Sequence, residues 1–146
     1  MKNTFSTENK LQAVKNLAKI MDGKLDDDII NNIQEKLLNF SLESYLGTAS
    51  IDSSVFYTSL DVSLDIGRKF HGGAWGLESI GNSRYIGGLL TNDIKILITE
   101  GNKFTIGDTA IGISILFLNS SFIPVGYFEG FGGPMIGLAS GSGHWS

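Results

Sequence analysis

The sequence holds two histidines, His71 and His144, the residue type most often used for proton transfer and metal binding near neutral pH. His71 adjoins Gly72 and Gly73 and reads as a candidate base or ligand. Neither histidine has a partner at metal-motif spacing, and the other candidate ligands are scattered carboxylates. Cysteine is absent, which excludes a disulfide framework and a thiolate metal site. Serines are plentiful, but none sits in a Gly-x-Ser-x-Gly elbow between a strand and a helix. Ser140-Gly141-Ser142-Gly143 is the nearest echo, and it falls in an expected strand. Asp61 and Asp65 share the wet face of one strand. Paired carboxylates do acid–base work in a cleft; on an open strand they are solvated and deter edge pairing. The acidic stretch 22–28 contains Gly23 but lacks the alternating ligands and terminal Glu of a calcium loop. The glycine clusters at 72–73, 130–133 and 141–143 lack the Lys-Ser/Thr ending and strand-to-helix setting of a phosphate loop. The expectation is therefore no catalytic residue, no cofactor and no metal ligand. Trp75, Tyr85, Phe131 and Trp145, with Phe128, are the candidates for an apolar binding surface. Core packing is the more common fate of strand aromatics.

The elements that would carry these residues are mostly strands. From Phe56 to Ile66, Phe56, Thr58, Leu60, Val62, Leu64 and Ile66 alternate with polar residues, giving one apolar face and one wet face. Such half-buried strands belong to a curved antiparallel sheet or barrel wall. Of 19 glycines, 17 follow Ile66. Between them lie apolar strand-length runs, so the glycines mark turns, bulges and barrel corners. Strands are expected over 70–79, 85–90, 103–106, 111–118, 122–128 and 135–145. Gly81-Asn82-Ser83 reads as a hairpin turn, and Pro124 as an edge or bulge position. Over 94–98 strand and helix compete; Ile94, Leu97 and Ile98 at helical spacing behind Asp93 favour a short helix. About seven or eight short strands with tight turns imply an antiparallel barrel or sandwich. The expected interior set is Phe56, Leu60, Leu64, Ile113, Ile115 and Phe117.

Residues 1–47 read as a helical segment, separate from a β domain over 51–146. Leu11, Val14, Leu17, Ala18 and Met21 follow helical spacing, with Gly23 suited to the C′ position. Ile29, Ile30, Ile33, Leu37 and Phe40 form a second stripe behind Asp26, Asp27 and Asp28. The stripes are expected to face each other as a helical hairpin. The stretch 42–50, with Gly47, Thr48 and Ser50, reads as a linker. Net charge is −4 and the pI near 5.0, which argues against a nucleic-acid partner. No run is long enough for a membrane-spanning helix, and no apolar signal-peptide core is expected near the start.

The residues after Gly81 also resemble a known family. Residues 83–93, Ser-Arg-Tyr-Ile-Gly-Gly-Leu-Leu-Thr-Asn-Asp, are similar to its aromatic-x-Gly-x-Leu-x-Thr-Asp-Asp stretch. Residues 117–126 are similar to its Asn-Phe-type strand and glycine turn. The ending Gly141-Ser142-Gly143-His144-Trp145-Ser146 is similar to its Gly-Ser-Gly-Ser-Trp terminus. The family is that of the virulence-associated (Vap) proteins of actinobacterial intracellular pathogens, and the resemblance spans about residues 51–146. It implies a closed eight-stranded antiparallel Greek-key β-barrel with one short helix near 93–99. It also implies a secreted, non-enzymatic protein acting on host membranes; the expectation is a monomer or weak oligomer that meets host membranes or host proteins through its barrel surface. The signal peptide and disordered N-terminal region usual in the family are not what residues 1–47 resemble. The alternative is a carrier holding a small hydrophobic ligand inside the barrel. A third reading is a hydrolase or isomerase built on His71, which requires a carboxylate or hydroxyl within hydrogen-bond reach.

Overall fold

The computed structural model describes residues 7–21, 23–39, 43–55, 57–75, 81–134 and 136–146. Two helices come first, α1 (Thr7–Met21) and α2 (Asp27–Leu38). Gly23, at φ +81°, turns the chain between them, a conformation that favours glycine. Asp26 occupies the N-cap of α2 without a side-chain cap bond, while Asp27 and Asp28 sit at the positive end of the helix dipole. Strands β1 (Glu43–Ser53), β2 (Thr58–Leu64), β3 (Lys69–Trp75) and β4 (Gly81–Thr91) follow, then α3 (Ile94–Glu100). Strands β5 (Lys103–Asp108), β6 (Gly112–Leu118), β7 (Pro124–Phe131) and β8 (Ala139–Trp145) complete the chain.

The eight strands close in the order β1-β2-β3-β8-β5-β6-β7-β4, and every pairing is antiparallel. Around the barrel this reads as 4-1-2-3 followed by 8-5-6-7, two Greek keys side by side. Closure removes every sheet edge, so Pro124 is not an edge residue. It begins β7, opposite a register shift at Phe117/Leu118.

Several local expectations change. The stretch read as a linker is β1, paired along its length with β4. Its alternation is disguised because the inward positions include Gly47 and Ala49, while Leu46 points outward and is 71% exposed. A Cβ at Gly47 would lie 2.8 Å from the Ser63 carbonyl oxygen and 2.9 Å from a Leu64 methyl, so the barrel wall demands the small residue. Gly81, Asn82 and Ser83 are not a hairpin turn but the start of β4, because β3 pairs with β2 and β8 rather than with β4. Phe56, Phe40 and residues 76–79 lie outside the described residues.

Two apolar clusters hold the molecule together. Inside the barrel, Leu60, Val62, Leu64, Ile113, Ile115 and Phe117 are buried with the rest of the alternating set. The rings of Phe70, Phe104, Phe117 and Trp145 interlock there; Phe70 lies 5.6, 5.0 and 5.4 Å from the other three. The second cluster lies outside the barrel wall. Leu90, Leu116, Leu118 and Tyr127 point outward from β4, β6 and β7, and Ala13, Val14, Leu17, Ile33 and Leu37 of the helices cover them. Strand β6 is consequently buried at every position, on both faces. Lys10 is buried at this contact; desolvation lowers its pKa, opposed by the charge of Glu129.

Candidate functional site

The aromatic residues expected at the surface divide sharply. Trp75 ends β3 with 66% of its surface exposed, its ring 5.8 Å from that of Tyr57 in an edge-on arrangement. Tyr57 is 49% exposed and its ring covers Gly73, where a side chain would collide with it. Phe131 is half-buried at the end of β7. Tyr85 and Trp145 are core residues, which corrects their assignment to a binding surface. Tyr85 is fully buried, donates a 2.6 Å hydrogen bond to the Pro134 carbonyl, and has its phenol pKa raised chiefly by burial. Trp145 packs between Phe70 and Phe117. Alternation explains both. They fall on inward positions of β4 and β8, where a ring fills the barrel. Phe128 is likewise internal.

The exposed large apolar side chains have a pattern that linear sequence obscures. The last residues of β1, β3, β5 and β7 and the first residues of β2, β4, β6 and β8 all lie at the same end of the barrel, because neighbouring strands are antiparallel. At that end Val55 is 72%, Tyr57 49%, Trp75 66% and Ile111 63% exposed. In the sequence, the residues between the ends of β1 and β2, of β5 and β6, and of β7 and β8 include no charged residue. The opposite end differs, with Asp65, Arg68, Asp93, Lys95 and Glu100 in its turns and in α3. Asp93 caps α3 there, accepting from the Lys95 backbone N–H at 2.9 Å.

His71 does meet a carboxylate. Its Nδ1 lies 2.7 Å from Asp61 Oδ1 across β2 and β3. The side chains are 62% and 48% exposed on an open strand face, with no enclosing cleft from which water would be excluded. Asp65 does not join them; it lies in the turn after β2. A cleft of about 410 Å³ opens elsewhere, between the helices and the β6–β7 turn, with Lys36, Asp93, Ile96, Glu100 and Ile123 among its walls. It lies outside the barrel. Among the described residues no three His, Asp or Glu side chains gather to hold a metal ion.

The fold and its surface can be set beside known proteins. The family model for Rhodococcus equi virulence-associated proteins matches residues 2–146. The structure of VapB from Rhodococcus equi is similar at 24% identity and a TM-score of 0.66, over 71% of this chain and 96% of that one. VapD from Rhodococcus equi is similar at 25% identity and a TM-score of 0.67, over 71% and 97% of the two chains. No curated protein matches the sequence. A family match running through both the helical segment and the barrel, joined to the shared barrel fold, places this chain in the family of Rhodococcus equi virulence-associated proteins.

Proposed function

We propose that this chain is a non-enzymatic virulence-associated protein that works through its barrel exterior, and that the charge-poor end rests on a host lipid membrane. The observation that carries this is the gathering of Val55, Tyr57, Trp75 and Ile111 at the end where three connections have no charge. Trp and Tyr, with an apolar body and a polar tip, suit the headgroup boundary. Burying a large apolar side chain completely is worth about 1.5–3 kcal/mol. Four partly exposed ones therefore offer several kcal/mol against the cost of orienting the protein. Contact is peripheral in this reading; no described helix is long and apolar enough to cross a membrane. A host protein is the competing partner, and such a surface would be expected to carry complementary charge. A ligand carrier would need space among Phe70, Phe104, Phe117 and Trp145, whose rings are already in contact.

The test is co-sedimentation of tag-free protein with vesicles of phosphatidylcholine and phosphatidylserine. Serine at Val55, Trp75 and Ile111 together should weaken binding tenfold or more. Serine at Leu46 and Ile86, exposed on the barrel wall, should leave it unchanged. Absent wild-type binding, or loss with the wall variant alone, overturns the proposal.

A further inference from the structure

The outer face of β2, β3 and β8 carries a row of three groups that the membrane reading does not use. Register sets Asp61 opposite His71, and His71 opposite His144. All three lie on the outer face; their neighbours Phe70 and Trp145 point inward. Lys69 and Ser146 exchange backbone hydrogen bonds of 3.1 and 2.8 Å. Alternation along the ladder makes His71 and His144 a hydrogen-bonded pair as well, with Cα atoms about 5.5 Å apart. The backbone groups of His71 then face β8, so Asp61 and His71 form the close, non-hydrogen-bonded pair, which is why their side chains meet at 2.7 Å.

This arrangement has a chemical consequence. The Asp61 carboxylate accepts from the Nδ1–H of His71 and so turns the Nε2 lone pair outward. A carboxylate behind an imidazole is the arrangement that orients histidine ligands. The second imidazole stands directly across the ladder. In the adjoining outward pair the Tyr57 ring covers Gly73, while Ser142 is small and exposed. Lys69, next along β3 on the other side, is the nearby cation.

We propose that His71 and His144 form a two-imidazole surface site for a divalent transition-metal ion, with Asp61 as the positioning residue. Imidazole nitrogen selects copper or zinc over magnesium or calcium, which take oxygen ligands. Water fills the remaining positions, in keeping with the absence of a third gathered ligand among the described residues. Copper(II) should bind more tightly than zinc(II).

The experiment titrates copper(II), then zinc(II), into the tag-free full chain, followed by calorimetry and electron paramagnetic resonance. One copper(II) per chain should bind, with splitting from imidazole nitrogens. His144→Ala and His71→Ala should each lower affinity tenfold or more and simplify that splitting. Asp61→Asn should weaken binding by about 10–100-fold while both nitrogens stay coordinated, a signature of positioning rather than ligation. Lys69→Ala should not weaken it. All these side chains are exposed, so the variants should unfold at the wild-type temperature. No saturable binding below millimolar copper, affinity that survives His144→Ala, or a spectrum without nitrogen coupling overturns the site. Unchanged affinity in Asp61→Asn overturns the role given to the carboxylate.

Discussion

Leu17→Ala should release the helical hairpin while leaving the barrel folded. Leu17 is fully buried, on the face of α1 that packs with Leu90, Leu116, Leu118 and Tyr127. A buried Leu→Ala change costs about 2–5 kcal/mol. The large apolar residues buried from the helices are Val14, Leu17, Ile33 and Leu37, each worth about 1.5–3 kcal/mol gross. The truncation therefore removes a large share of the apolar contact that holds the helices to the barrel wall. The barrel has its own core and a closed ladder, and Leu17 belongs to neither. Native-state hydrogen exchange resolves the two units. Amides of α1 and α2 should exchange about 30- to 4,000-fold faster, the factor equivalent to that cost. Amides of β2 and β3 should be unchanged, and a dye for apolar surface should bind the newly bared wall. A uniform rise in exchange across helices and barrel would refute the two-unit reasoning; so would no rise at all.

Alkaline pH should destabilise the protein through Tyr127. Burial first, then the charge of Glu129, hold its phenol well above the ordinary range, and its Oη donates to Glu129 Oε1 at 2.8 Å. The unfolded chain loses that proton near pH ~10 while the folded chain keeps it, so stability falls as pH rises past that value, by up to about 1.4 kcal/mol per pH unit. Lys10 acts in the opposite sense. Its folded pKa is lowered, so it adds stability as pH rises from that value to about 10.5. Urea unfolding across this range should show Tyr127→Phe losing the Tyr127 slope and keeping the Lys10 one. Asp93→Ala removes the cap of α3 and should cost about 0.5–2 kcal/mol in chemical unfolding. Asp108 accepts from the backbone N–H groups of Ile136 and Gly137 at 2.8 and 2.9 Å. Asp108→Ala should cost about 1.5–3 kcal/mol in the same assay and speed proteolysis of the β7–β8 connection.

What could be read in advance follows from how the residues signal. The Thr58–Leu64 strand alternates cleanly because one face is wet and one is packed, and the short helix is signalled by Asp93 ahead of Ile94, Leu97 and Ile98. Strand β1 was hidden because close packing against Leu64 and Phe128 requires Gly47 where alternation would place a bulky residue. The docking of the hairpin was half legible. Leu116 and Leu118 fall on the face of β6 that would otherwise be wet, and an apolar outer face calls for a cover. At the candidate surfaces, residue type alone failed to separate Trp75 from Trp145. Both are strand tryptophans, and only strand direction and register send one outward and the other into the barrel. The charge-poor end was invisible for a related reason. Its members come from separate turns, and only the closed antiparallel order brings those turns to one rim.

Those same two tryptophans supply the most direct test of the account. Trp75 is 66% exposed and Trp145 is 7% exposed, so nearly all solvent-sensitive emission belongs to Trp75. Emission spectra are to be recorded with and without vesicles, for wild type and for Trp75→Phe. The account predicts a blue shift on adding vesicles and quenching by bromine-labelled acyl chains, both missing from Trp75→Phe. Vesicle binding with Trp75 emission unchanged and still open to aqueous quencher would contradict it.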